Sequence, residues 1–388
     1  MPRHRPSLRL RSEPISLKPD KETRRQGERE IDETPSPTLH VSLSHHSSAS
    51  AAAKLILCGE HAVVYGRPAI ALPLVSIRAQ VDVADGRVGC GIVVHARDLR
   101  RRWRVADDPH GPISQLITSV LSYLQDQATP GPDLRITISS AIPIASGMGS
   151  GAAVATAVVR ALAAHLGRQL APAEISALVY ASEQRFHGTP SGIDNTVIAY
   201  EQPIWYIRPP TTDHRPPTSD VAQWSSVVGR QSSPTIEPIT IASPFNLLIG
   251  DTGVHSATRL PVGEVRKRWQ ADPARYEALF DQVGVIVRQA REVLGHGDIP
   301  ALGPLLSQNH TLLQQIGVSS PQLDALVAAA QAAGALGAKL SGAGWGGVML
   351  ALVAPDTRVR VAAALEQAGA KRVSATVVNL SWPAPSTS

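Results

Sequence analysis

The chain has 388 residues, a net charge of +5, 43% hydrophobic and 18% charged residues, and two cysteines, Cys58 and Cys90. That is enough length and apolar content for two well-buried domains. It excludes a disordered chain, a disulfide scaffold and, with no apolar run of spanning length, a membrane-spanning helix.

Residues 1–47 mix basic and acidic residues and then Pro, Ser, Thr and His, without apolar periodicity, and read as a disordered tail with order beginning near Ala51. Lys54–Cys58 and Ala62–Tyr65 read as short β-type runs around Gly59-Glu60-His61. Val75–Ala84 alternates like a strand, Ser114–Gln125 fits a helix, and Leu134–Ser139 alternates into Pro143-Ile-Ala-Ser-Gly-Met-Gly-Ser-Gly-Ala-Ala153. A helix is expected from Ala152 to about Leu166. A second runs from Pro172 to His187, with Gly188 past its end. Residues 208–238, rich in Pro, Ser and Thr, read as a surface insertion. Helices follow at 273–294, 300–315 and 322–333, and the chain closes as β-loop-β-α-β at Ala338–Leu340, Gly347–Val353, Arg358–Gln367 and Arg372–Asn379. Strands and helices in both halves predict an α+β or mixed α/β fold, of which α+β is adopted.

Glycines 147, 149 and 151 permit positive φ and crowd backbone N–H groups at a helix start, which makes an anion nest. Alone, this loop serves equally as a tight turn without a ligand. Lys54 is the one lysine between Lys21 and Lys267, and singly it reads as a snorkelling surface residue. Asp194, among Ile193, Val197 and Ile198, is either a base or a helix cap. Gly250–Thr258 and Lys339-Leu-Ser-Gly-Ala-Gly-Trp-Gly-Gly347 are loops by themselves. Together these segments supply what phosphoryl transfer needs: a phosphate cradle, a cation, and carboxylates for a metal and for the attacking hydroxyl.

The order Lys54-x4-Gly-Glu-His-Ala-Val-Val-Tyr-Gly66, Pro143-x3-Gly-Met-Gly-Ser-x-Ala-Ala153 and Lys339-Leu-Ser-Gly-Ala-Gly344 resembles the three motifs of the GHMP small-molecule kinases. His187-Gly-Thr-Pro-Ser-Gly-Ile-Asp-Asn195 and Asp251-Thr-Gly-Val254 are most similar to the mevalonate kinases among them. The resemblance covers roughly residues 50–380. It implies a ribosomal protein S5 domain 2-like N-terminal domain (48–238) and a ferredoxin-like C-terminal domain (239–380), with 381–388 a flexible end. It implies ATP-dependent phosphorylation of the C5 hydroxyl of (R)-mevalonate to 5-phosphomevalonate, with Mg²⁺. The two cysteines make a reduced, cytoplasmic setting the default; no nucleic-acid or membrane partner is expected, and a homodimer is an option.

By motif position the resemblance makes Asp194 the catalytic base and Lys54 its neighbour; a cation within ~4–6 Å of a carboxylate favours its charged form. It assigns the ATP phosphates to Pro143, Ser146, Gly147, Met148, Gly149, Ser150, Gly151, Ala152, Gly342 and Gly344. Magnesium falls to Glu183 and Ser150, and the mevalonate pocket to Glu60 and His61. The chain departs from the family pattern at Ala52-Ala53 (usually Pro-Gly), Met148 (Leu), Gly151 (often Ser) and Trp345 (Gly). A tryptophan does not freely adopt positive φ, so the third loop is expected to bend differently or to turn the indole outward. Two other readings remain at this point: a sibling kinase acting on phosphomevalonate, for which Arg78, Arg185 and Arg259 are candidate phosphate binders, or on another hydroxyl of mevalonate, and a non-catalytic ligand-binding relative.

Overall fold

The computed structural model describes residues 45–125, 131–144, 146–187, 190–208, 234–254 and 259–379. The expected tail up to residue 44, most of the 208–238 insertion and the C-terminal 381–388 lie outside them. Within them, chain order begins earlier than expected, because β1 (His46–Cys58) already pairs antiparallel with β2 (Pro68–Asp85) at His46.

The first sheet has seven strands. β3 (Ile92–Ala96), β4 (Arg101–Arg104), β5 (Leu134–Ser140), β6 (Ile204–Ile207) and β7 (Thr235–Pro238) join in the order β4-β3-β5-β2-β6-β7, with β1 also on β2. Among the described residues the one parallel pair in this sheet is β3 with β5. The pairing of β1 with β2 slips between Ala52, opposite Arg78, and Ala53, opposite Leu74, which leaves three β2 residues unmatched. Such a bulge bends the strand. It falls on the Ala52-Ala53 step itself. The outer half of β2, Ala79–Asp85, pairs with β5, and the inner half, Pro68–Ala71, pairs with β6. β7 corrects one expectation: the end of the 208–238 stretch is a sheet strand, paired with β6.

Among the described residues, four helices accompany this sheet: α1 (Pro112–Leu124), α2 (Ser150–His165), α3 (Pro172–His187) and α4 (Ile193–Tyr200). The small side chains of α2 let it lie close to β1 and β2, and Ala152, Ala153, Ala157, Val158, Ala161 and Leu162 are buried there.

The second sheet is antiparallel, ordered β11-β8-β10-β9, from β8 (Phe245–Asp251), β9 (Gly337–Ser341), β10 (Val348–Val353) and β11 (Arg372–Val378). Its helices are α5 (Arg259–Ala271), α6 (Pro273–His296), α7 (Ile299–Ile316), α8 (Pro321–Ala332) and α9 (Arg358–Gln367). Sequence punctuation sets their ends. Asp272, Asp298 and Ser320 accept from the first-turn N–H groups, and Gly297 and Gly317 close α6 and α7 in the left-handed conformation.

Ala62–Tyr65 is not a strand but a single 3₁₀ turn. His61 (φ 61°) and Gly66 (φ 81°) take left-handed φ at its two ends, and Val64 N–H donates to His61 O. A four-residue apolar run carries no period that separates the two forms. Among the described residues no helix is long and apolar enough to cross a membrane.

Candidate active site

The first glycine loop leads straight into α2. Gly149 caps the helix with φ 73°, no side chain caps the first turn, and no acidic residue sits in it. The N–H groups of Ser150, Gly151 and Ala152 are those a helix leaves without internal partners, and the helix dipole adds positive potential there. Gly151 is exposed and a Cβ at that position would meet nothing within 4 Å. Ser146 is buried and its Oγ donates to Pro143 O at 2.8 Å, so its hydroxyl shapes the turn. Met148 is buried, and its carbonyl accepts from Lys54 N–H at 3.0 Å, which sews the loop to β1.

Gly149 also makes room for Lys54. A Cβ at Gly149 would stand 2.9 Å from Lys54 Cγ and 2.9 Å from Ile198 Cδ1. Gly149→Ala is therefore expected to cost about 1–3 kcal/mol in strain and to lower turnover as well, read from thermal melts and steady-state rates.

Lys54 Nζ lies 2.9 Å from Asp194 Oδ1; the lysine side chain is 4% exposed and the aspartate 32%. Asp194 stands in the first turn of α4, behind Gly192 at φ 88°. Three side chains pin that turn. Tyr206 Oη donates to Ser191 O at 2.9 Å, Thr196 Oγ1 to Gly192 O at 2.6 Å, and Asn195 Nδ2 to Ser176 Oγ at 2.8 Å. Glu183 on α3 faces the same place: burial, and then the negative charge of Asp194, push its carboxyl up to about 8 against the pull of Lys54. Two carboxylates thus share one cation, Lys54.

The third glycine loop, Ser341–Gly347, backs the first. A Cβ on Gly342 (φ 96°) would meet Gly147 Cα at 3.4 Å, and one on Gly347 would meet Ser146 O at 2.7 Å. Gly344 abuts Val318 O. Gly342 and Gly344, expected at the phosphates, thus serve close backbone packing in this geometry. The Asp251–Val254 segment holds the same loop: Thr252 Oγ1 donates to Gly347 O at 2.8 Å, and Gly347 N–H to Val254 O at 2.8 Å.

Trp345 differs from expectation. It does adopt left-handed φ (57°), and its indole is half-buried rather than turned outward. Nε1 donates to Gly317 O at 3.0 Å and the main-chain N–H to Val318 O at 2.9 Å. Two hydrogen bonds to the α7–α8 turn hold a conformation the residue would not choose alone.

Glu60 and His61, expected at the substrate pocket, point into the junction of the two sheets. Glu60 is 1% exposed and its carboxylate accepts from Lys339 Nζ, itself fully buried. Burial raises the Glu60 carboxyl, while Lys339 and, more weakly, Lys54 lower it. The ring nitrogen Nε2 of His61 donates to Ala343 O at 2.9 Å, and burial drops its pKa to about 4, so the ring is neutral at pH 7. The side chains are turned inward because Gly59 (φ 106°) packs against Ala69 and tucks the following turn into the core.

Of the three arginines considered for a phosphorylated substrate, Arg78 is paired with buried Glu201 at 2.8 Å, and Arg185 Nη1 donates to Ser119 Oγ at 3.2 Å. Arg259 is exposed at the start of α5. Sequence reasoning missed Lys339 as a charge partner and Ser341 as a bridge to Ile56. The available signal was a lysine between apolar neighbours, Ala338 and Leu340, in a run read as a strand, which requires a counter-charge if buried.

Two family models match the chain: GHMP kinases N terminal domain over residues 115–202 and GHMP kinases C terminal over residues 290–371. Mevalonate kinase of Thermococcus sibiricus is 34% identical over 338 residues, covering 83% of this chain and 93% of its own length. That of Pyrococcus horikoshii is 34% identical over 339 residues, covering 83% and 92%. The crystal structure of L. major mevalonate kinase in complex with R-mevalonate matches with a TM-score of 0.72 and 29% identity, over 87% of this chain and 98% of that one. With two sheets, a glycine-capped α2 and a Lys54–Asp194 pair beside it, the chain belongs to the mevalonate kinase family of the GHMP kinases.

Proposed function

We propose that the protein transfers the γ-phosphate of ATP to the C5 hydroxyl of (R)-mevalonate. The observation that carries this is the Lys54–Asp194 ion pair at 2.9 Å, beside an uncapped helix start and Glu183. The α2 N-terminus and the loop before it receive the phosphates. Lys54 offsets negative charge on the transferring group, and Asp194, half-exposed on the same side, orients the hydroxyl and accepts its proton. Because phosphoryl transfer passes through a loose transition state, orientation is the larger part of the work of Asp194.

The residues present fit Mg²⁺. Among the described residues no group of three or more His, Cys, Asp or Glu side chains forms a metal cage. Magnesium bound with ATP needs only one or two protein oxygens besides phosphate and water. Glu183 and the hydroxyl of Ser150 would hold it, and it would neutralise charge on the phosphates. With Gly151 in the next position, no second hydroxyl is offered there.

A charge test follows from Glu183. Its folded pKa of about 8 exceeds the ordinary 4.5, so the folded state holds this proton longer than the unfolded state. Its contribution to stability is whole below pH 4.5 and is lost as pH rises to about 8. Metal-free protein is expected to melt at falling temperature across that window, and Glu183→Gln is expected to flatten the dependence. A wild-type melting profile identical to that of the variant would contradict the burial of Glu183 beside Asp194.

The deciding assay is ADP release by the purified protein with ATP and Mg²⁺ over mevalonate, phosphomevalonate and sugars. Mevalonate-dependent release with 5-phosphomevalonate as product is expected. Preference for phosphomevalonate, or ATP binding without turnover, would replace this reading; the engagement of Arg78 by Glu201 speaks against the first. We place the domain boundary at 238/239, between β7 and β8, and the reaction in the cytoplasm, consistent with two free cysteines. A homodimer is carried as a family-level expectation.

A further inference from the structure

Three polar links cross between the end of β1 with its turn and the start of the third glycine loop. Ser341 Oγ donates to Ile56 O at 2.9 Å and accepts from Ile56 N–H at 3.2 Å. Lys339 Nζ donates to Glu60 and to Leu340 O at 2.6 Å. His61 Nε2 donates to Ala343 O at 2.9 Å. The charged pair joins residues 279 apart in sequence, and both side chains are out of water.

Such a pair is a weak source of stability. Removing two charges from water costs several kcal/mol per ion in rough terms, and a well-packed apolar pair often does as well or better. The pairing is also incomplete, because among the described residues Glu60 Oε2 has no hydrogen-bond partner. What an apolar contact lacks is register. A slide of β9 along β1 would keep apolar area buried but would part these charges where no water replaces the lost partner. Register at this seam decides where Ser341–Gly347 meets Gly147 and Ser146.

We propose that Glu60 and Lys339 are positioning residues that fix the register between the two domains and thereby the shape of the ATP phosphate cradle, without touching mevalonate. The inference rests on the ATP reading of that cradle. The variants are Glu60→Gln, Lys339→Met and the apolar double Glu60→Leu/Lys339→Met. The readouts are Tm, KM for each substrate, kcat, and nucleotide affinity from a fluorescent ADP analogue. The singles are expected to melt lower and the double to recover most of the loss. In all three, KM for ATP is expected to rise at least tenfold while KM for mevalonate stays within about threefold. If the double does not fold, Glu60→Asp, which keeps the charge but shortens its reach, is expected to show the same split. A refolded double with wild-type KM for ATP would reduce the pair to structure. An effect of Glu60→Gln on mevalonate KM alone, with Lys339→Met silent, would return Glu60 to the substrate pocket. Failure of the wild-type protein to bind the nucleotide analogue would instead remove the ATP reading itself.

Discussion

Asp194→Asn is expected to lower kcat by about 10²–10⁴-fold while the protein keeps its melting temperature within a few degrees. Asparagine matches aspartate in shape, so the α4 turn keeps its anchors at Tyr206, Thr196 and Asn195. What disappears is the proton acceptor and the counter-charge of Lys54, 2.9 Å away. The measurement is steady-state ADP release with both substrates saturating, beside a circular-dichroism melt. Because orientation of the hydroxyl survives in part with an amide, a loss near the lower end would indicate that Asp194 acts mainly by placement. Turnover within threefold of wild type would remove it from the mechanism.

Lys54→Met is the second large effect, about 10²–10³-fold in kcat, the usual scale for deleting one preorganised donor to developing charge. Methionine spans the same channel against Gly149 and Ile198, so packing is largely kept. Electrostatics is not. Glu183 and Asp194 lose the cation they share, and the carboxyl of Glu183, already near 8, is expected to rise further. The rate of the variant should therefore climb toward higher pH than that of the wild type. Lys54→Arg, which restores charge with different geometry, separates charge from placement. A pH profile superimposable on wild type would show that Lys54 does not act on Glu183.

The motifs were legible where chemistry is local. Glycines mark backbone that can turn left-handed, and Gly147, Gly149, Gly192, Gly342 and Gly344 do so, whereas Gly151 is already in the first turn of α2. The helices expected at 273–294, 300–315 and 322–333 form as α6, α7 and α8, whereas α5 (Arg259–Ala271) is not among the expected helices. What sequence withheld was pairing at a distance. Nothing near Glu60 announces Lys339, and nothing near Arg78 announces Glu201; both pairs are made by folding. Ala62–Tyr65 misled because four apolar residues bracketed by left-handed backbone are too short for a period. Trp345 misled for the opposite reason: the local rule was sound, and the hydrogen bonds to Gly317 and Val318 override it.

The slip at Ala52-Ala53 has a mechanical consequence. It divides the first sheet into two panels that share β1 and β2 but little else: an outer panel with β3, β4 and β5, and an inner one with β6, β7 and Lys54. Insertions, altered hairpins or a repacked outer panel are absorbed at the slip before they reach the lysine. Strain arising in the outer panel is thus relieved at the slip, ahead of the lysine.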